Sequence, residues 1–227
     1  MLRDLITAWR FLLKRPTSTV IALLTLAVTV ALSTIAIGAV DQAFWRPADA
    51  AKDGELVTFY SSRPSAPFYQ TLSYPDYVGI RDRLRARVEL AALVRVENTL
   101  AGGEWPTRAS GELVSGNYFS VLGTRPFAGR LLGPDDDRGA GAQPVIVLGH
   151  DFWRRQFKSD PAVIGGLVRL GGRDFSVVGI APRGFQGPAW PSNFWIPLAM
   201  TREVLGADVL PRADAPILQT VGRLTSG

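Results

Sequence analysis

Residues Thr17–Val40, TSTVIALLTLAVTVALSTIAIGAV, run for 24 positions without a charged residue, Pro, Asn or Gln. As an α-helix the stretch is about 36 Å long. The hydrocarbon layer of a bilayer is about 30 Å thick, so this length crosses it with a modest tilt. Its Thr, Val and Ile content favours a strand in water. In lipid, a lone strand leaves its backbone N–H and C=O groups unpaired, whereas a helix satisfies them internally. The expectation is one transmembrane helix at 17–40, with everything else lying on one side or the other.

Charge orients that span. Residues 1–16 carry Arg3, Arg10, Lys14 and Arg15 against Asp4, a net +3 of the +5 on the whole chain. The positive-inside rule then puts the N-terminus in the cytoplasm and residues after about 41 outside. Within the flank, Leu2, Leu5, Ile6, Trp9, Leu12 and Leu13 follow helical spacing, an amphipathic lead-in at 1–16 that can lie in the headgroup layer. Arg15-Pro16 ends it, because a residue before Pro is driven out of helical geometry. Leu5, Ile6, Trp9 and Trp45 are the candidate membrane-interface residues, although the two tryptophans can equally be packing residues. A signal peptide is the alternative; its apolar core is about 7–15 residues, shorter than this one, and Ala36-Ile37-Gly38 leaves cleavage open.

Along the span, Ala27, Ala31, Thr34 and Gly38 repeat at helical spacing as a stripe of small residues. Small residues let helix backbones approach closely in lipid, so the stripe is a candidate helix-packing face. Ala and Gly are also ordinary residues of any membrane helix, and that reading stays beside it.

The remaining residues argue against several chemistries. The basic pI of about 10.0 comes without clustering outside the N-terminal flank, so no nucleic-acid partner is expected. The chain has no cysteine, which excludes disulfides, thiolate metal sites and a cysteine nucleophile. It also has no G-x-x-x-x-G-K-[ST] loop to cradle ATP phosphates. The single histidine, His150, adjoins Asp151, a pairing read as a helix-entry residue with its cap. Asp135-Asp136-Asp137 lacks the ligand spacing and terminal Glu of a calcium loop and reads as a solvated loop. Ser115 is not in a nucleophile elbow; Ser115-Gly116-Asn117 reads as a turn. Phe185, Trp190, Phe194 and Trp195 read as core, with an apolar ligand surface as the alternative. The chain is therefore not expected to be an enzyme, and neither a cofactor nor a metal site is expected in it.

Beyond the span the pattern is α+β. Strands are expected at Leu56–Tyr60, Leu90–Glu97, Trp105–Val114, Pro144–Leu148, Leu167–Leu170, Phe175–Ile180, Phe194–Leu198 and Leu218–Leu224. Helices are expected from Ser73-Tyr74-Pro75, at Gly116–Leu122 as a short turn, and at His150–Phe157. Gly171-Gly172 suits a two-residue hairpin needing positive φ twice.

From residue 112 onward the sequence carries a series of blocks in one order. The first is Leu113-Val114-Ser115-Gly116-Asn117-Tyr118-Phe119, followed by Arg125-Pro126 and Gly129-Arg130. Next come Phe152-Trp153-Arg154-Arg155-Gln156-Phe157, Asp160-Pro161, Val177-Val178-Gly179-Ile180-Ala181-Pro182 and Trp195-Ile196-Pro197-Leu198. In these blocks the chain resembles the extracytoplasmic core domain of MacB/FtsX-like ABC transporter permeases, close to the duplicated permeases of soil bacteria. The basic lead-in, the span and Ser73-Tyr74-Pro75-Asp76-Tyr77 extend the likeness to nearly the whole chain.

The resemblance implies an external domain at 41–227 built of two subdomains: a split one beginning at 55–100 and resuming at 218–227, and an inserted, mainly-β one at 105–200. It implies an inner-membrane permease subunit with a periplasmic domain, paired with a second copy or a duplicated permease. A cytoplasmic ABC ATPase that binds the ATP, and a periplasmic adaptor, are the other partners implied. The expected role is coupling ATP hydrolysis to movement of the external domain in efflux or export. A stand-alone anchored binding module, or a decayed truncated permease, is the alternative. Val221–Gly227 resembles the family's return strand, so an N-terminal fragment is expected, with a sheet edge exposed near Leu56–Tyr60 and Leu90–Glu97.

Overall fold

The computed structural model describes residues 25–27, 29, 56–62, 70–139, 144–188 and 190–225. Met1–Arg46 and Pro47–Gly227 are separate units. In the first, Thr25, Leu26, Ala27 and Thr29 are helical and exposed, and the Thr29 hydroxyl donates to the Thr25 carbonyl at 2.8 Å. The expected interface residues Leu5, Ile6, Trp9 and Trp45, and Ala31, Thr34 and Gly38 of the small stripe, lie outside the described residues. Among the described residues no helix is long and apolar enough to cross a membrane.

The second unit runs β1 (Leu56–Val57), α1 (Tyr74–Leu84), β2 (Val88–Ala101), β3 (Thr107–Val114), α2 (Tyr118–Val121) and β4 (Ala128–Gly129). It continues β5 (Val145–Leu148), α3 (His150–Gln156), β6 (Leu167–Leu170), β7 (Arg173–Ile180), β8 (Phe194–Pro197), α4 (Thr201–Leu205) and β9 (Gln219–Leu224). Local sequence explains several boundaries. Ser73 caps α1: its hydroxyl accepts from the Asp76 amide and donates to the Asp76 carboxylate at 2.6 Å, with Pro75 in the first turn. Gly171 and Gly172 take φ of +57° and +88° between β6 and β7, as a tight hairpin requires.

One strand organises the topology. β2 is 14 residues long; Val88–Leu93 pairs with β9, Leu93–Leu100 with β3, and Leu100–Ala101 with β6. Going round, β2 pairs β3, β3 pairs β8, β8 pairs β5, β5 pairs β7, β7 pairs β6, and β6 returns to β2. The second half of β2 thus closes a six-stranded ring. Its first half belongs to a three-stranded array with β9 and β1, over which α1 places Tyr77.

Strand alternation sorts the side chains into two cores. Val96, Leu113, Ile146, Val168, Val177 and Ile196, one from each strand of the ring, fall in the larger cluster. Leu93, Val147 and Trp195 point the other way and are covered by Tyr118, Phe119 and Val121 of α2 and by Phe185. Burial on both faces explains why Val145–Leu148 is apolar at every position. Gly111 permits one close approach: a Cβ there would sit 2.4 Å from the Phe194 ring.

Three expectations change. Leu90–Glu97 is not a bare edge, because β9 and β3 flank β2; on that side the sheet ends at β1. The strand expected from Trp105 starts at Thr107, since Trp105 lies in the hairpin turn with 71% of its surface exposed. Asp135–Asp137 is not a solvated loop but part of a 3₁₀ turn, Pro134–Asp137, in which Asp136 is buried. Arg130 clasps the Asp136 carboxylate at 2.6 and 2.8 Å, and the Gly133 amide donates to it at 2.9 Å.

Candidate functional site

The first half of β2 meets the ring at a polar junction. The Ala92 amide donates to the Ser115 hydroxyl at 2.9 Å, and the Ser115 amide returns a bond to the Ala92 carbonyl at 2.9 Å. The Ser115 hydroxyl donates to the Asn117 side-chain oxygen at 2.8 Å, and the Asn117 amide group donates to the Leu90 carbonyl at 3.0 Å. That same carbonyl accepts from the Tyr77 hydroxyl of α1 at 3.2 Å. Leu90 therefore ties the α1 side of the molecule to the turn that follows β3.

Asp137 extends the junction. Its carboxylate accepts from the Gly116 amide at 3.1 Å and from the Ala199 amide at 2.7 Å, joining the turn after β3 to the segment after β8. Burial raises the Asp137 pKa above the usual carboxylate value; the two amide bonds oppose this and the neighbouring Asp136 charge adds to it. Gly116 has no room for a side chain, since a Cβ would lie 2.6 Å from Pro134 Cα and 2.7 Å from the Gly133 oxygen. Beside these groups is a cleft of about 200 Å³ lined by Tyr74, Asp137, Leu198, Ala199, Arg202 and Leu210. Clefts where parts of a molecule meet are common places for function.

Sequence reasoning missed a second feature, Glu112. It lies inside β3, fully buried, and its Oε2 accepts from the Tyr118 hydroxyl at 2.7 Å and from the Trp195 indole N–H at 2.9 Å. Its Oε1 has no hydrogen-bond partner among the described residues. Burial raises its pKa, with the Tyr118 and Trp195 bonds opposing. The one available signal was register: Ser110, Glu112 and Val114 alternate on one face, and a strand covered on both faces buries that set as well.

Several expected residues are scattered rather than gathered. His150 is buried as the first residue of α3, with its Nδ1 3.3 Å from Asp151 Oδ1; the N-cap is Gly149, so Asp151 is its neighbour and not a cap. Phe185, Phe194 and Trp195 are core, while Trp190 is 44% exposed with the Arg95 guanidinium over its ring at 5.0 Å. Ser115 bonds backbone and Asn117 and faces no histidine. Among the described residues no group of three His, Asp or Glu side chains is placed to hold a metal ion.

Comparison with known proteins places the fold. The periplasmic region of MacB from Actinobacillus actinomycetemcomitans superposes with a TM-score of 0.59 at 17% identity, covering 77% of this chain and 76% of that one. The extracellular domain of the noncanonic ABC-type transporter YknZ from Gram-positive bacteria gives 0.58 at 15% identity, covering 76% and 84%. No curated protein matches the sequence. The profile of the MacB-like periplasmic core domain matches residues 19–227, nearly the whole chain, and the chain belongs to that family of ABC transporter permease domains.

Proposed function

We propose that this chain is a permease subunit in which motion driven by a cytoplasmic ABC ATPase is carried to an extracytoplasmic domain, in efflux or export. The observation that carries this reading is a continuous hydrogen-bonded path. Leu56 pairs with Arg223 where β1 and β9 lie side by side, β9 pairs with β2, and β2 runs without a break into the ring. A pull delivered at β1 or β9 is shared across ladder bonds loaded together, and β2 transfers it to the closed barrel as one stiff rod. The junction at Leu90, Ser115 and Asp137 sets how firmly α1 follows. Movement then requires two arrangements of differing stability, biased by the nucleotide state of the ATPase.

In this reading residues 17–40 anchor the chain in the inner membrane, the N-terminus is cytoplasmic and the main domain faces the periplasm. The Ala27, Ala31, Thr34 and Gly38 face takes a neighbouring helix, from a second copy or a duplicated permease. A periplasmic adaptor would meet the external domain. The role is mechanical and not catalytic.

The absence of native cysteine makes the test direct. A spin label at Arg125→Cys and another near residue 60 report their separation in lipid nanodiscs, with a cytoplasmic ABC ATPase added. The reading expects co-purification with that ATPase and a separation that differs between the nucleotide-free and ATP-bound states. A chain that binds no ATPase and whose separation never changes is the stand-alone module instead.

A further inference from the structure

A second cavity lies on the ring, away from the junction, beside α3. We propose that it binds a small amphipathic carboxylate: a flat apolar ring carrying one carboxylate group. The cavity is about 310 Å³ and is lined by Phe127, His150, Asp151, Trp153, Arg154 and Arg183, with Ser159 at its wall. That volume suits a ligand of one or two fused rings.

Its floor is aromatic. The Phe127 and His150 ring centroids are 4.7 Å apart at 74°, Phe127 and Trp153 are 5.8 Å apart, and His150 and Trp153 are 5.7 Å apart. His150 and Trp153 are buried beneath it, and Phe127, with 43% of its surface exposed, supplies the accessible aromatic surface of the cluster. The Trp153 indole N–H is already engaged by the Asp160 carbonyl at 2.8 Å, which leaves its ring as an apolar wall. Phe127 is fixed by its amide, which donates to the Ile180 carbonyl at 2.8 Å.

Its rim is cationic. The Arg183 guanidinium stands 5.3 Å over the Phe127 ring, and Arg154 projects from α3. Neither arginine has an ion pair among the described residues, whereas the one acid in the cavity, Asp151, faces His150. Two guanidinium groups against one carboxylate leave one positive charge, which a single ligand carboxylate balances; arginine also matches that group's planar geometry. Lys158 and Ser159, consecutive non-glycine residues with φ of +52° and +61°, hold the adjoining wall in a sparsely populated conformation. Such strain persists where surrounding structure imposes it, and here it shapes the cavity edge. The site does not rest on the coupling role, since it needs no ATPase.

His150 is the only histidine, so its imidazole C–H resonances report on this cavity alone. The full-length chain in a nonionic detergent is titrated with indole-3-acetate, and separately with tryptamine, which has the same ring and an amine in place of the acid. We expect a saturable shift of the His150 lines with a Kd at or below about 1 mM for the acid, and none for the amine. Arg183→Gln and Arg154→Gln are each expected to weaken binding about tenfold, with the thermal melting midpoint of the free protein unchanged, which shows the fold intact. The proposal is overturned by any of three results: no shift with the acid, equal shifts with acid and amine, or unchanged affinity in both variants.

Discussion

Glu112 and Trp195 stand opposite each other on the parallel strands β3 and β8, and the indole N–H donates to the buried carboxylate at 2.9 Å. The pair sits in the smaller core, where Tyr118 supplies the second donor and the other carboxylate oxygen has none among the described residues. The fold therefore favours protonated Glu112 over its ionised form.

This has a pH signature. Burial raises the folded-state pKa of Glu112 above its unfolded value, so the folded state holds its proton more tightly. Its contribution is fully favourable below the unfolded carboxyl value of about 4.3 and is lost as pH rises through the raised folded value. Glu112→Gln keeps an acceptor for Tyr118 and Trp195 and removes the charge. The variant should melt above the wild type at pH 8, with the gap closing as the pH falls toward about 4. A gap that is the same at both ends would show that Glu112 carries no buried charge. Glu112→Ala, which orphans two buried donors and leaves a void, should cost about 2–4 kcal/mol near pH 4, and less at pH 8, where ionisation has already weakened the wild type.

Two glycines should respond in opposite directions to the same change. At Gly116 a Cβ meets the backbone of Pro134 and Gly133, which cannot swing aside, so Gly116→Ala is expected to destabilise by about 1–3 kcal/mol. At Gly79, within α1, nothing lies within 4 Å of the added carbon. Gly79→Ala should stabilise by about 0.5–1 kcal/mol through helix propensity. Denaturant midpoints read both, and a neutral Gly116→Ala would show that the junction yields easily.

Asp137 is the cheapest way to loosen that junction without touching an apolar core. Asp137→Ala strands the Gly116 and Ala199 amides in a partly buried place, at a cost of about 1–3 kcal/mol. The loss should be local, so limited proteolysis ought to show new cleavage near residues 133–139 and 198–206 while the ring resists. Global unfolding in place of local cutting would mean that the turn is part of the main cooperative unit.

Topology and helix packing test the membrane end. A periplasm-active reporter fused after residue 60 should be active, and one fused after residue 12 should not; the reverse pattern would invert the orientation. Replacing both Ala31 and Gly38 with Leu should weaken self-association in membranes. Unchanged association would remove the small stripe as a packing face.

By itself the sequence determined most elements of the external domain. Ser73 before Pro75, the paired glycines 171–172 and the apolar run 145–148 each specify their own conformation through sterics, capping or burial, and each appears in the structure where those local rules put it. Family motifs added the kinship, which the match over residues 19–227 shows. Only the tertiary structure decided what depends on pairing at long range. β2 extends well past Leu90–Glu97 because β9, more than a hundred residues later, and β6 supply partners at its two ends. Asp136 reads as solvated until Arg130 folds over it, and nothing local marks Glu112 until Tyr118 of α2 covers its face of the strand. A local pattern cannot show which charge finds a partner and which is shut away from water, because both depend on neighbours distant along the chain. The apolar stretch 17–40 is the opposite case: its length and charge alone raise the membrane reading, and reporter fusions and association in lipid are what test it.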